Sequence, residues 1–162
     1  MDMNGWTTTA LIAALVAGVV IRRLRGEPLN ARELLAAPAV LTGAGVWSVA
    51  KESGALTGAD IAWVTAGGVL GLALGVLRGR SVELFERDGV AWQRYTGTTF
   101  LVALGTLAVM AVFGWLAVRA GMHEGARPTT LSIGVSYLGE SLAVALRGTA
   151  AGLPFATEGA RR

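Results

Sequence analysis

The chain has 162 residues, 53% of them hydrophobic and only 15% charged, and a net charge of +3. Soluble domains carry about a quarter charged residues, so a mean hydropathy of +0.56 makes the bilayer the expected solvent. Cysteine is absent and His123 is the single histidine, which excludes disulfides, thiolate metal sites, thiol nucleophiles and, within one chain, a multi-histidine zinc or di-haem centre.

Five apolar runs succeed one another, over residues 6–21, 34–50, 61–77, 98–118 and 130–146. A hydrocarbon core about 30 Å thick needs roughly 17 to 25 helical residues. The fourth run meets this length comfortably, and the others need helical turns continuing into their flanks. The pattern predicts an all-α integral membrane protein, a single domain built as a bundle of five transmembrane helices; four spans plus an interfacial helix is the alternative. The first run is expected to stay as a membrane helix, because Asp2 and the lack of a positive n-region argue against a cleaved signal.

Positive charge sorts between the loops. Arg22, Arg23, Arg25 and Arg32 follow the first run, Arg78, Arg80, Arg87 and Arg94 follow the third, and Arg147, Arg161 and Arg162 follow the fifth. Lys51, Arg119 and Arg127 fall on the other side. This split of eleven against three predicts an outside N-terminus and a cytoplasmic C-terminus. The pI near 10.2 therefore reports topology, and no nucleic-acid partner is expected. Arg22, Arg23 and Arg25 are placed to bind anionic headgroups.

Local signals mark the boundaries. Asn30 with Glu33 has capping-box spacing for the second helix, and Asp60 is placed to cap the third. Pro38 falls about two turns into the second helix, where its missing amide favours a bend. Trp6, Trp47, Trp63 and Trp115 lie near the outer helix ends, as interfacial tryptophans do. Between the third and fourth runs, residues 81–95 read as a cytoplasmic β-hairpin turned by Asp88-Gly89, a favoured type I′ pair. Pairing Arg87 with Val90 sets Phe85 opposite Trp92 and Glu83 opposite Arg94. An isolated two-stranded ribbon is marginal in water, so this one must lean on helix ends, headgroups or a partner.

The arginine-rich loop ahead of Arg32-Glu-Leu-Leu-Ala-Ala-Pro38, the glycine-studded third helix ending in Arg78-Gly-Arg80, and the hairpin from Glu83 to Tyr95 with its central Asp88-Gly89 resemble the CcdC-like family. These are small bacterial multi-pass membrane proteins of unknown function associated with cytochrome c maturation loci. The resemblance covers about residues 15 to 120. It implies a membrane fold and a bacterial source, and it brings no catalytic residue with it; with the arginine split, the expected location is the bacterial cytoplasmic membrane.

Two constellations stand out. Gly67, Gly71, Gly75 and Gly79 recur every four residues and form a flat groove for helix packing, either within the bundle or as a homodimer seam. Ser132, Ser136 and Glu140 share a helical face, with Tyr137 beside them and Arg147 seven residues beyond Glu140. An intramembrane carboxylate is costly and therefore informative. Glu140 reads as a buried interhelical hydrogen bond or an ion pair near the inner boundary, with Arg147 on nearly the same face and able to pull toward it from the interface; as a proton- or cation-coupling group; or as a general acid or base. His123, in an outer loop, is expected to be solvated. No catalytic motif, metal site or cofactor site is recognisable, so the expected function is a non-enzymatic oligomeric or accessory membrane subunit. A small transporter or channel is the alternative and a membrane-embedded enzyme the third. The expected partners are the lipid bilayer and a second copy or another membrane protein.

Overall fold

A computed structural model describes residues 18, 20–21, 23–52, 56–123, 129–152 and 154–156 of the chain. Four long helices are present among them: α1 (Ala31–Glu52), α2 (Gly58–Ser81), α3 (Gly97–Arg119) and α4 (Thr129–Ala150). They contain the second to fifth apolar runs and extend beyond each at both ends. With 22 to 24 residues apiece, they reach about 33 to 36 Å at 1.5 Å per residue. Each is long and apolar enough to cross a membrane. The first run lies almost wholly outside the described residues, so the described bundle has four such helices where five were expected. Arg23 to Arg25 are helical and lead into the bundle.

Capping corrects the expected boundaries in two places. Asn30 Oδ1 accepts from the Arg32 amide at 3.0 Å, one residue before the expected Glu33 amide. Asp60 is not the cap of α2. Thr57 occupies that position, and Asp60 is its capping-box partner, accepting the Thr57 amide at 2.9 Å. Thr96 and Thr99 repeat the device at the start of α3. The helix α1 runs through Pro38, whose ring is fully buried.

The hairpin forms in the expected register. Strands β2 (Glu83–Arg87) and β3 (Val90–Arg94) pair antiparallel, with Arg87 opposite Val90, Phe85 opposite Trp92 and Glu83 opposite Arg94. Asp88 and Gly89 both take positive φ, 55° and 73°, as a type I′ turn requires. The Phe85 and Trp92 rings lie 6.4 Å apart, and Arg94 meets Glu83 at 2.7 Å.

The hairpin is stabilised by neighbours from both ends of the chain. A two-residue strand β1 (Glu27–Pro28) pairs with the free edge of β3, giving the order β1-β3-β2. The Ala91 amide donates to the Pro154 carbonyl and the Ala156 amide to the Leu29 carbonyl, both at 2.8 Å. Leu29, Val82, Ala91 and Val144 form a buried cluster beneath this sheet. All three arginine-bearing segments that sequence counting assigned to one side therefore meet at one end of the bundle.

The outer surface inverts the pattern of a soluble protein. Val40, Val69, Leu101, Leu104, Leu107 and Leu146 are largely exposed, whereas Asp60, Gln93, Thr99, Thr106, Glu140 and Ser141 are buried. Burial here follows smallness and pairing, while the large apolar side chains point outward, as they do when the helices' surroundings are as apolar as their side chains.

Candidate functional site

Helix α4 lies at the centre of the bundle because its contacts with α1 and α2 are made backbone to backbone. A Cβ added at Gly75 would overlap the Ser136 carbonyl, and one at Gly79 would meet the Ala143 Cβ at 2.7 Å. Gly71 faces the Ser132 carbonyl at 3.6 Å. From the other side, a Cβ at Gly139 would run into the Leu72 carbonyl, and one at Gly134 into the backbone of Thr42 at 2.6 Å. The four-residue glycine spacing of α2 thus receives a helix of the same chain. Gly67, at the far end of the row, faces Phe113 of α3 instead.

That close approach brings Glu140 beside Arg78. The Arg78 Nε donates to Glu140 Oε2 at 2.6 Å, and the two side chains are 15% and 5% exposed. The other oxygen, Oε1, accepts from the Tyr95 hydroxyl, which reaches in from the link between β3 and α3. Both carboxylate oxygens are therefore engaged, by a cation on α2 and a phenol at the sheet. Burial, reinforced by the negative charge of Glu140, raises the Tyr95 phenol well above its usual range.

Arg147 is not the partner of Glu140. It caps α2 instead, donating from Nη1 to the Gly79 and Val82 carbonyls at 2.9 and 2.7 Å, the carbonyl groups a helix leaves without partners at its end. Seven-residue spacing put both residues on one helical face, but Arg147 lies nearly two turns closer to the sheet and reaches past the end of α2.

Arg23 joins the same cluster. It donates to the Tyr137 hydroxyl at 2.5 Å, pairs with Glu27 at 3.0 Å, and its guanidinium lies 5.0 Å from the Tyr95 ring. Arg25 is exposed beside it, and Arg22 lies outside the described residues. Sequence reasoning placed Arg23 among headgroup anchors; a half-buried cation between two tyrosines carried no signal along the chain. The same holds for Arg78 and Tyr95, whose proximity to Glu140 depends on contacts between elements.

Two cavities adjoin the cluster. A cleft of about 420 Å³ opens between α2, α3 and α4, walled by Trp63, Gly67, Met110 and Phe113, with Arg78 and Tyr137 at its polar end. Ser132 and Ser136 also line it. A more polar pocket of about 300 Å³ lies at the sheet, between Arg23, Glu27, Asn30, Glu33, Gln93 and Tyr137. Tyr137 borders both.

The opposite end of the bundle is tied separately. The fully buried Asp60 accepts from the His123 amide at 2.9 Å, and its Oδ2 lies 3.0 Å from His123 Nδ1. His123 was expected to be solvated. Its ring is exposed, yet it is bound to Asp60 and fastens the segment after α3 to the start of α2. Trp47 and Trp115 are exposed near this end, under Lys51 and Arg119 at 5.2 and 4.6 Å. Trp63 turns inward and packs edge-on against Phe113 at 5.4 Å.

No group of three or more acidic, histidine or cysteine side chains suited to a metal ion occurs among the described residues. No family model, curated protein or solved structure matches this chain. The resemblance to the CcdC-like family therefore rests on the sequence pattern alone.

Proposed function

We propose that this protein is a small multi-pass protein of the bacterial cytoplasmic membrane, non-enzymatic, acting as a subunit of a homo- or hetero-oligomer and presenting its three-stranded sheet to the cytoplasm. Four apolar helices with large side chains on their outer faces support insertion. The gathering of the three arginine-bearing segments at the sheet end supports the orientation. The observation that carries the non-enzymatic reading is the engagement of both Glu140 oxygens. A carboxylate held by a guanidinium and a phenol ties α2, α4 and the sheet together. Such a group is a poor candidate for giving and taking protons.

Because the background is free of cysteine, labelling of single cysteines in intact cells tests the topology directly. Cysteines at Ser53 and Glu124 are expected to react with an impermeant maleimide from outside, and one at Asp88 only after permeabilisation; the reverse pattern overturns the orientation. The subunit reading expects the protein, gently solubilised from native membranes, to migrate well above its 16.7 kDa chain mass after correction for bound detergent. A monomer under those conditions overturns it.

A second reading, a small transporter, is favoured by one observation: a cleft and a polar pocket meet at Tyr137, one turn from Glu140. It predicts that Glu140→Gln abolishes proton- or cation-coupled flux in proteoliposomes. The subunit reading predicts that no such flux exists in the parent protein.

A further inference from the structure

We infer that the cleft between α2, α3 and α4 is a binding site for a neutral, membrane-soluble carbonyl compound of the quinone type, held by the guanidinium of Arg78 and the hydroxyl of Tyr137. This goes beyond the subunit reading, under which no ligand is required.

The argument starts from unused donors. A guanidinium carries five N–H groups, and among the described residues Arg78 commits only Nε–H, to Glu140. Its side chain is nevertheless 85% withdrawn from the surface, and it lines the cleft. Among the described residues that line it Arg78 is the charged one, and Trp63, Gly67, Met110 and Phe113 belong to its apolar stretch. Tyr137 is in the same position. Its oxygen accepts from Arg23, and among the described residues no acceptor takes the hydroxyl hydrogen. Both side chains line the cleft, so an acceptor oxygen bound there can take hydrogen bonds from these open donors.

Charge decides what kind of acceptor. Glu140 already balances Arg78 at 2.6 Å, and Glu27 balances Arg23 at 3.0 Å. A carboxylate or phosphate would bring a second negative charge beside Glu140 and would have to be desolvated in a poorly solvated site. A carbonyl oxygen accepts the same hydrogen bonds and adds none. The rest of the molecule must be apolar, because the remaining wall is mostly aromatic, aliphatic and glycine. About 420 Å³ lies within the usual range of small-molecule sites, about 300 to 1,000 Å³. At this wall Gly67 lets Phe113 pack directly against α2; a Cβ there would stand 3.0 Å from the ring.

The test uses the full chain in detergent micelles and a short-chain alkyl benzoquinone, with binding read by equilibrium dialysis. Saturable binding is expected in the parent. Arg78→Lys keeps the charge opposite Glu140 but removes the fork of donors, and weakens binding about tenfold, the loss expected for one charge-assisted hydrogen bond. Ala111→Phe fills the cleft away from the ion pair and abolishes binding while leaving the elution volume and melting temperature unchanged, so a misfolded Arg78 variant does not decide the matter. Three results would overturn the proposal. They are uptake that rises linearly without saturating, displacement of the quinone by a long-chain fatty acid at lower concentration, and cross-linking of cysteines at Leu107 and Leu15, which would show the first apolar run filling the cleft.

Discussion

The two sides of α4 and its neighbours differ in how closely helices approach. Against α2, every fourth residue is glycine, and the backbones touch at Gly75 and Ser136. Toward α3, the facing positions carry Leu107, Met110 and Phe113, and a cleft remains. In an apolar solvent, large side chains gain little by turning inward, so packing is decided by which faces are flat. The seam closes because its residues are small, and the cleft stays open because Trp63 and Phe113 prop α2 from α3 at 5.4 Å.

That contrast breaks most readily at Gly75. Gly75→Leu places a side chain where the Ser136 carbonyl already lies. It is expected to cost about 3 kcal/mol or more, the upper end of ordinary overpacking, and to aggregate on mild heating in detergent. Retention of the parent melting temperature would show that α2 and α4 do not meet there.

The polar end of the seam is sharpened by alkali. The Tyr95 phenol is raised by burial and by Glu140 above the value of about 10 that it has in an unfolded chain. Its contribution to stability is thus complete below pH ~10 and lost as the pH rises through the folded value, because the unfolded chain ionises first. Between pH ~10 and ~11 the loss is about 1 kcal/mol. Thermal unfolding in detergent across that range should show a steeper alkaline limb for the parent than for Tyr95→Phe.

The smallest effect belongs to the cleft. Ala111→Phe adds a side chain where there is room and is expected to change stability by no more than about 0.5 kcal/mol. A loss comparable to that of Gly75→Leu would mean that the cleft is as tightly filled as the seam.

Much of the fold is readable from residue order because its signals are local. The Asp88-Gly89 turn and period-two alternation fix the hairpin down to each cross-strand pair. Hydropathy locates the four described helices, although their polar first and last turns escape it. Pairings between elements escape entirely. Glu140 stands out as an acidic residue in an apolar run, but spacing within its own helix suggests Arg147, while the true partner lies 62 residues away on α2. Asp60 is recognisable near a helix start, yet nothing along the chain announces that the segment after α3 folds back so that His123 meets it. The strand at Glu27–Pro28 is two residues long and contains a proline. It has no pattern of its own and exists only because β3 offers it an edge.

That short strand and the tail place the sheet late in the life of the chain. Its central strand bonds to Pro154, and Ala156 bonds to Leu29, so the layer contains residues made before α1 and residues made after α4. During synthesis the hairpin emerges with only half of its final partners. The inner face is completed once α4 has left the ribosome, and until then the Ala91 amide of β3 that the tail later takes is open to any extended chain nearby.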